Sequence, residues 1–125
     1  MPGRRSRLAT PAPLRDDITA FLAVSFAQLE NDDRMRALLP RIIAAAQHDE
    51  HVAATLGEFT AARRATLRKL LERGQARGEL SSAADLAMLT DMAYGVLWYR
   101  VLVGHAPLDA AAAESLARCL LAAGS

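Results

Sequence analysis

The segment from Leu86 to Val103 constrains the fold of this chain more than any other, because nearly every position in it is apolar. A helix that is apolar on all sides has no face for water, so it must be covered on more than one side. The core of a 125-residue chain can cover one side. We therefore expect a second copy of the same chain to cover the other side.

The composition is that of a single globular domain rich in helix formers, with 52% hydrophobic and 23% charged residues. A net charge of +1 provides no electrostatic footprint for nucleic acid, so direct nucleic-acid binding is not expected. Cys119 is the single cysteine, which excludes an internal disulfide and favours a reducing cytoplasm. Asp91 and Arg100 interrupt the apolar segment, and no run of 18 uncharged apolar residues occurs, so a membrane span is not expected either.

Apolar residues recur at helical spacing along the chain, without the alternation typical of strands. The pattern predicts helices over about Leu14–Glu30, Arg34–Gln47, Asp49–Arg77, Ala83–Val103 and Asp109–Ala123. Short connections between them predict an all-α, five-helix antiparallel bundle. Pro40 is expected in the first turn of the main part of the second helix, and Ser81 or Ser82 at the N-cap of the fourth. Residues 1–12 are basic and then Pro-rich, which predicts a disordered arm before a folded domain at 13–125.

The sequence contains no nucleophile motif, no phosphate-binding loop and no dinucleotide-binding loop, so neither an enzyme nor a cofactor is expected. His48 and His51 are three residues apart and could share a helix face with a metal ion. They flank a predicted helix junction at which Asp49 acts as the N-cap. We therefore favour a solvated junction there and expect no metal site.

Two charged residues in apolar surroundings point to a small-molecule site. Arg63 lies in the apolar stripe of the third helix and Asp91 in the apolar fourth helix, and a buried charge needs a partner. A mostly apolar cleft with one or two charged groups is the usual composition of a ligand site. We predict a cavity between helices one, three and four with these walls: Phe21, Phe59, Arg63, Met88, Asp91 and Met92. In the alternative interpretation, Asp91 has a structural partner such as Arg63 or Arg64.

The stretch from Asp91 to Asp109 has a characteristic order of residues. It contains Asp91, Gly95 four residues later, two adjacent aromatic residues, Arg100, and then Gly-x-x-Pro-Leu-Asp. This order is similar to the penultimate helix and following turn of TetR/AcrR-type transcriptional regulators, although Val96 stands where part of the family has proline. The resemblance extends back through residues 63–68 and 77–80 towards Leu14. It implies the C-terminal domain of such a regulator, which binds a small apolar effector and dimerises.

The DNA-binding unit of that family has no counterpart in this chain, because a helix-turn-helix unit needs about 45 residues before Leu14. Three explanations stay open: a coding start placed too far downstream, a truncated chain, or a natural domain without a DNA-binding head.

The resemblance and the apolar fourth helix together predict a homodimer formed by helices four and five. Two such helices from each chain would make a four-helix interface with two-fold symmetry. The residues expected at this interface are Trp98, Tyr99, Leu102, Leu116 and Leu120. The alternative to an effector-binding domain is a helical homodimeric interaction module with no small-molecule site. A close-packed interior would favour that alternative.

Overall fold

The structure, a computed structural model, describes residues 12–125. Its helices are α1 (Leu14–Glu30), α2 (Asp33–Ala46), α3 (Glu50–Ala76), α4 (Leu86–Val103) and α5 (Ala110–Ala123). No strand occurs within the described range. The expected all-α fold of five helices is therefore confirmed. The predicted arm at residues 1–12 falls, apart from its last residue, outside the described residues.

Helix α1 supplies the centre of the core, because its apolar residues recur every three or four positions and form one buried stripe. The stripe consists of Leu14, Ile18, Leu22, Phe26 and Leu29. Its most extensive contact is with α5, and α3 and α2 also pack against it. The residues that α5 buries are Ala113, Leu116, Ala117 and Leu120. Full burial of each large apolar side chain stabilises the fold by about 1.5–3 kcal/mol.

Aspartate side chains determine where four of the five helices begin. The carboxylates of Asp32, Asp49, Asp85 and Asp109 each accept a hydrogen bond from a backbone N–H in the first turn of the following helix. The prediction of Ser81 or Ser82 as the cap of α4 was wrong. The Ser81 hydroxyl instead accepts from the N–H of Ala83, and the Ser81 N–H donates to the carbonyl of Gly124. Ser81 thus stabilises the turn before α4 and ties it to the end of α5.

Replacing the cap of α4 is expected to lower stability measurably. In Asp85→Ala the N–H of Met88 loses its acceptor, the carboxylate oxygen that lies 3.1 Å away in the wild type. Loss of an N-cap carboxylate typically lowers the free energy of unfolding by about 1 kcal/mol. Urea denaturation of Asp85→Ala and of the matched variant Ser82→Ala measures this difference. An equal loss in both variants would contradict the assignment of Asp85 as the cap.

Pro40 lies inside α2, seven residues after its first residue, and not in the first turn as the sequence predicted. The helix begins early because the Asp32 side chain accepts a hydrogen bond from the N–H of Met35 at 3.0 Å. Proline has no N–H, so the carbonyl of Arg36 lacks its usual helical partner. Arg36 is exposed, and water can satisfy that carbonyl at low cost.

Helix α4 is only partly covered by the rest of the chain: 28% of its 18 residues are buried. Leu86, Leu89, Ala93 and Leu97 face the core. By length and composition alone, α4 is the one helix among the described residues that could cross a membrane, a test that core helices of soluble proteins also pass. A large part of α4 therefore remains uncovered within the single chain.

Candidate functional site

A partly enclosed cavity of about 510 Å³ lies among α1, α2, α3 and α4. Its volume falls in the range of about 300–1,000 Å³ that small-molecule sites occupy. Most of its wall is apolar, with a few polar groups. The lining residues are Ser25, Ala27, Gln28, Leu29, Asn31, Asp32, Met35, Leu39, Phe59, Thr60, Arg63, Tyr94, Leu97 and Trp98.

The cavity lies beneath α2, a helix that packs along α3 but buries little of its own apolar surface. Leu39 is the one residue of α2 that is buried, while Met35 and Leu38 keep 38% and 44% of their surface exposed. Asp32 starts this helix directly after α1 ends, so the first turn of α2 lies next to the last turn of α1. Several residues after Leu39 are half-buried, so α2 is held mainly by its second half, and the cavity lies under its first half.

Arg63 brings a positive charge to the cavity wall. Its Nη2 atom donates a hydrogen bond to Oε1 of Gln28 at 2.9 Å, and its guanidinium carbon lies 5.5 Å from the centre of the Phe59 ring. The ring face attracts the cation and helps to hold the side chain in place. Within residues 12–125, no carboxylate forms an ion pair with Arg63. Its charge in the cavity is therefore not neutralised by a direct ion pair.

Arg64, the next residue, is bound differently. Its Nη1 atom lies 2.5 Å from a carboxylate oxygen of Asp91, in an ion pair between α3 and α4. This pair is the structural alternative that the sequence left open for Asp91. The Asp91 side chain is 58% exposed, so water screens the pair and its contribution to stability is small.

Tyr94 places a hydroxyl in the cavity wall that has no hydrogen-bond partner, although the oxygen is buried. Burial raises the pKa of Tyr94 above its ordinary value, and the nearby positive charges of Arg63 and Arg64 partly oppose this shift. The phenol therefore carries its proton at neutral pH and can donate a hydrogen bond. A buried polar group without a partner is unfavourable, which makes this hydroxyl available to a ligand acceptor.

A second, more open cleft of about 430 Å³ adjoins the first between α2, α3 and α4. Thr60 and Trp98 belong to the walls of both. Its other walls are mostly apolar: Ile43, Ala46, Gln47, Ala53, Leu56, Gly57 and Leu102. The Trp98 indole thus lies between the two spaces, half-buried.

The structure places two of the six predicted cavity residues, Phe59 and Arg63, on the cavity wall. It corrects the placement of the other four. Phe21 is half-buried against the core, because the side of α1 that faces the cavity carries Ser25, Gln28 and Leu29. Met88, Asp91 and Met92 are exposed, because α4 turns its Tyr94–Trp98 side to the cavity.

The five residues expected at a dimer interface differ in their exposure and surroundings. Tyr99 and Leu102 are 59% and 50% exposed and are free to contact a partner. Trp98 lines the cavity. Leu116 and Leu120 are buried at 8% and 0% exposure, which corrects their predicted place in an interface. The reason is that the apolar stripe of α5 packs against α1 within the same chain.

The exposed side of α4 carries an apolar seam, which we call the outer face of α4. It consists of Met88, Met92, Gly95, Tyr99, Leu102 and Val103. From Met88 to Leu102 these positions recur at intervals of three or four, and Val103 follows Tyr99 by four, so they line one side of the helix. A Cβ atom added at Gly95 would meet nothing within 4 Å, so the middle of the seam is open to close approach.

Sequence reasoning missed Tyr94, Gln28 and Ser25 as cavity residues. Tyr94 carried a usable signal, because it is a hydroxyl-bearing residue inside the most apolar helix. Gln28 carried no such signal, since a polar residue near the end of an amphipathic helix is ordinarily solvated.

Arg100 lies outside the cavity wall. Its Nη1 atom donates to the carbonyl of Pro107 at 2.7 Å and stabilises the turn after α4.

Asp49, which lies between His48 and His51, is used to start α3. Asp49 accepts hydrogen bonds from the N–H groups of His51 and Val52 as the cap of α3. In the part of the chain that the structure describes, no three His, Cys, Asp or Glu side chains come together in a metal-binding arrangement.

A comparison with protein families finds one match that covers most of the chain. The family model described as "Tetracyclin repressor-like, C-terminal domain" matches residues 12–120. No curated protein matches the chain.

Proposed function

The chain belongs to the tetracyclin repressor-like C-terminal domain family, and from this membership we propose that it is the effector-binding and dimerisation domain of a TetR-type transcriptional regulator. The family assignment confirms the resemblance that the sequence indicated. Regulators of this family are generally not enzymes, and we propose the same for this chain. We also propose that it acts in the cytoplasm, where such regulators reach their DNA targets.

The observation that carries the effector-binding proposal is the cavity beneath α2. A domain that only dimerised would gain stability by filling this cleft with its own side chains, because an unfilled cleft forfeits dispersion contacts. This domain instead keeps about 510 Å³ open, with apolar walls and a few converging polar groups. That combination is typical of a site for a small, mostly apolar molecule.

The outer face of α4 supports the homodimer. Met88, Tyr99 and Val103 each expose more than half of their surface, which leaves a large apolar area in contact with water. A second copy that lays the same face against it would form a two-fold symmetric interface. Helix α5 would contribute its exposed small residues, such as Ala111, Ser115 and Ala122, and not its buried leucines.

Filling the cavity should abolish effector binding. The neutral apolar dye N-phenyl-1-naphthylamine is expected to bind the protein saturably and to fluoresce on transfer out of water. Ala27 lines the cavity from α1, so Ala27→Phe places a ring where the dye would bind. We expect the dissociation constant to rise at least about tenfold, which corresponds to about 1.4 kcal/mol.

The matched control is Ala20→Phe, the same change at an exposed position two turns earlier on α1 and outside the cavity. It should bind the dye like the wild type. If Ala27→Phe also binds the dye like the wild type, the cavity is not the site. A dimeric interaction module without a small-molecule site would then be the better description, because the outer face of α4 supports dimerisation in either case.

A further inference from the structure

We propose that the ligand of this cavity is a small organic anion, whose carboxylate is bound by Arg63 and Tyr94 and whose apolar body lies against the walls beneath α2. This inference rests on the proposed effector-binding function and adds the chemical class of the ligand. The supporting observation is that some polar groups of the cavity already have partners within the chain, whereas others have none.

The first step concerns charge. Two arginines are adjacent on α3. Arg64 forms an ion pair with the carboxylate of Asp91, whereas Arg63 donates a hydrogen bond only to the neutral side-chain amide of Gln28. An arginine on an apolar wall without a neutralising ion pair favours an anion and disfavours a cation. Asp32 is the one carboxylate among the lining residues, and it is exposed and bound to the N–H of Met35. Its negative charge therefore lies at the start of α2, where the helix dipole stabilises it and water screens it.

The second step concerns hydrogen bonding. The phenol of Tyr94 is a donor without an acceptor, and it lines the same cavity as the guanidinium of Arg63. Both groups can donate and neither can be satisfied by a hydrocarbon ligand. A carboxylate has two oxygens that accept from both kinds of donor, and charge-assisted hydrogen bonds of this kind are the strong ones. A neutral alcohol could satisfy the phenol but would leave the charge of Arg63 without a counter-ion.

The third step concerns the rest of the ligand. The walls away from Arg63 and Tyr94 are apolar, formed among others by Leu29, Leu39 and Leu97. Met35 adds a flexible side chain that can adapt to different shapes, and Trp98 a large flat one. The ligand should therefore be a carboxylic acid with a hydrocarbon or aromatic body.

Three probes with the same eight-carbon chain test whether the cavity prefers an anion, a neutral molecule or a cation: octanoate, 1-octanol and octylammonium. Trp98, the only tryptophan, lines the cavity, so its fluorescence reports binding directly. We expect octanoate to bind about tenfold more tightly than octanol, and octylammonium to bind more weakly still. Arg63→Gln should weaken octanoate binding about tenfold and leave octanol binding unchanged. Tyr94→Phe, which keeps the ring, should weaken octanoate binding severalfold.

The matched control is Arg73→Gln, the same change at an exposed position of the same helix, which should bind all three probes like the wild type. Equal binding of octanoate and octanol, or an octanoate affinity that neither Arg63→Gln nor Tyr94→Phe lowers, would overturn the anion proposal and leave the effector-binding function standing. Failure of octanoate to bind at about 1 mM would overturn it as well. The naphthylamine experiment with Ala27→Phe then decides separately whether the cavity binds ligands at all.

Discussion

Met92→Glu is expected to convert the protein from a dimer into a monomer. Met92 lies in the outer face of α4 and is 39% exposed in the single chain. Glutamate has nearly the same length and helix propensity as methionine, so α4 itself should be preserved. In a two-fold symmetric dimer the change occurs twice, and each carboxylate would be buried without a partner at a cost of several kcal/mol. The dissociation constant of the dimer should rise at least about 100-fold.

Sedimentation velocity at about 20 µM, far above the dissociation constant of a stable dimer, measures this change. Val24→Glu is the matched control, because Val24 is an apolar residue of α1 that is 60% exposed and lies outside the outer face of α4. It should remain a dimer. A wild-type protein that sediments as a monomer at this concentration would refute the homodimer. A wild-type dimer that tolerates Met92→Glu would place the interface on another surface.

Phe26→Ala is expected to bring the domain close to unfolding. The Phe26 side chain is fully buried, at 0% exposure, in the stripe with which α1 packs against its neighbours. Removing a buried ring forfeits its transfer free energy and leaves a cavity, which typically lowers the free energy of unfolding by about 3–5 kcal/mol. Since a domain of this size has about 5–15 kcal/mol in total, this loss removes a large part of its stability.

The control for this loss is Phe59→Ala, because Phe59 is 52% exposed on the cavity wall. Its free energy of unfolding should fall by no more than about 1 kcal/mol. Urea denaturation of both variants at the same protein concentration provides the comparison, since dimerisation makes the apparent stability depend on concentration. Similar losses in the two variants would contradict the assignment of Phe26 to the core and Phe59 to the cavity.

The pattern of each helix predicted its own boundaries well where a local signal existed. Helices α1 and α5 lie where the periodicity of leucines and the cap at Asp109 predicted them. Helix α3 begins after the Asp49 cap and ends before Gly78, whose φ of 80° only glycine adopts readily. The errors arose where two local signals competed. Helix α4 uses Asp85 as its cap and not the serines before it, and Asp32 starts α2 well before Pro40.

The sequence also identified α4 as a helix that its own chain would not cover completely, because apolarity on every side is a property of the sequence. Which side would remain uncovered depended on the rotation of α4 about its axis. The core takes the side of Leu89, Ala93 and Leu97, and this leaves the outer face with Met92 and Tyr99 exposed. Leu116 and Leu120 were assigned to the interface for a similar reason: an amphipathic helix does not reveal whether its apolar stripe meets its own chain or a partner.

By itself, the sequence determined that this protein is an all-α bundle of the tetracyclin repressor-like type, since periodicity, caps and turn residues act over a few positions and can be recognised in order. It also indicated that Arg63 lies in unusual surroundings. Only the tertiary structure decided which side chains meet around Arg63. Gln28 and Arg63 are 35 residues apart, and Tyr94 reaches the same cavity from a third helix. Such contacts depend on how α1, α3 and α4 pack against one another, and that packing is set by the whole core and by no local pattern.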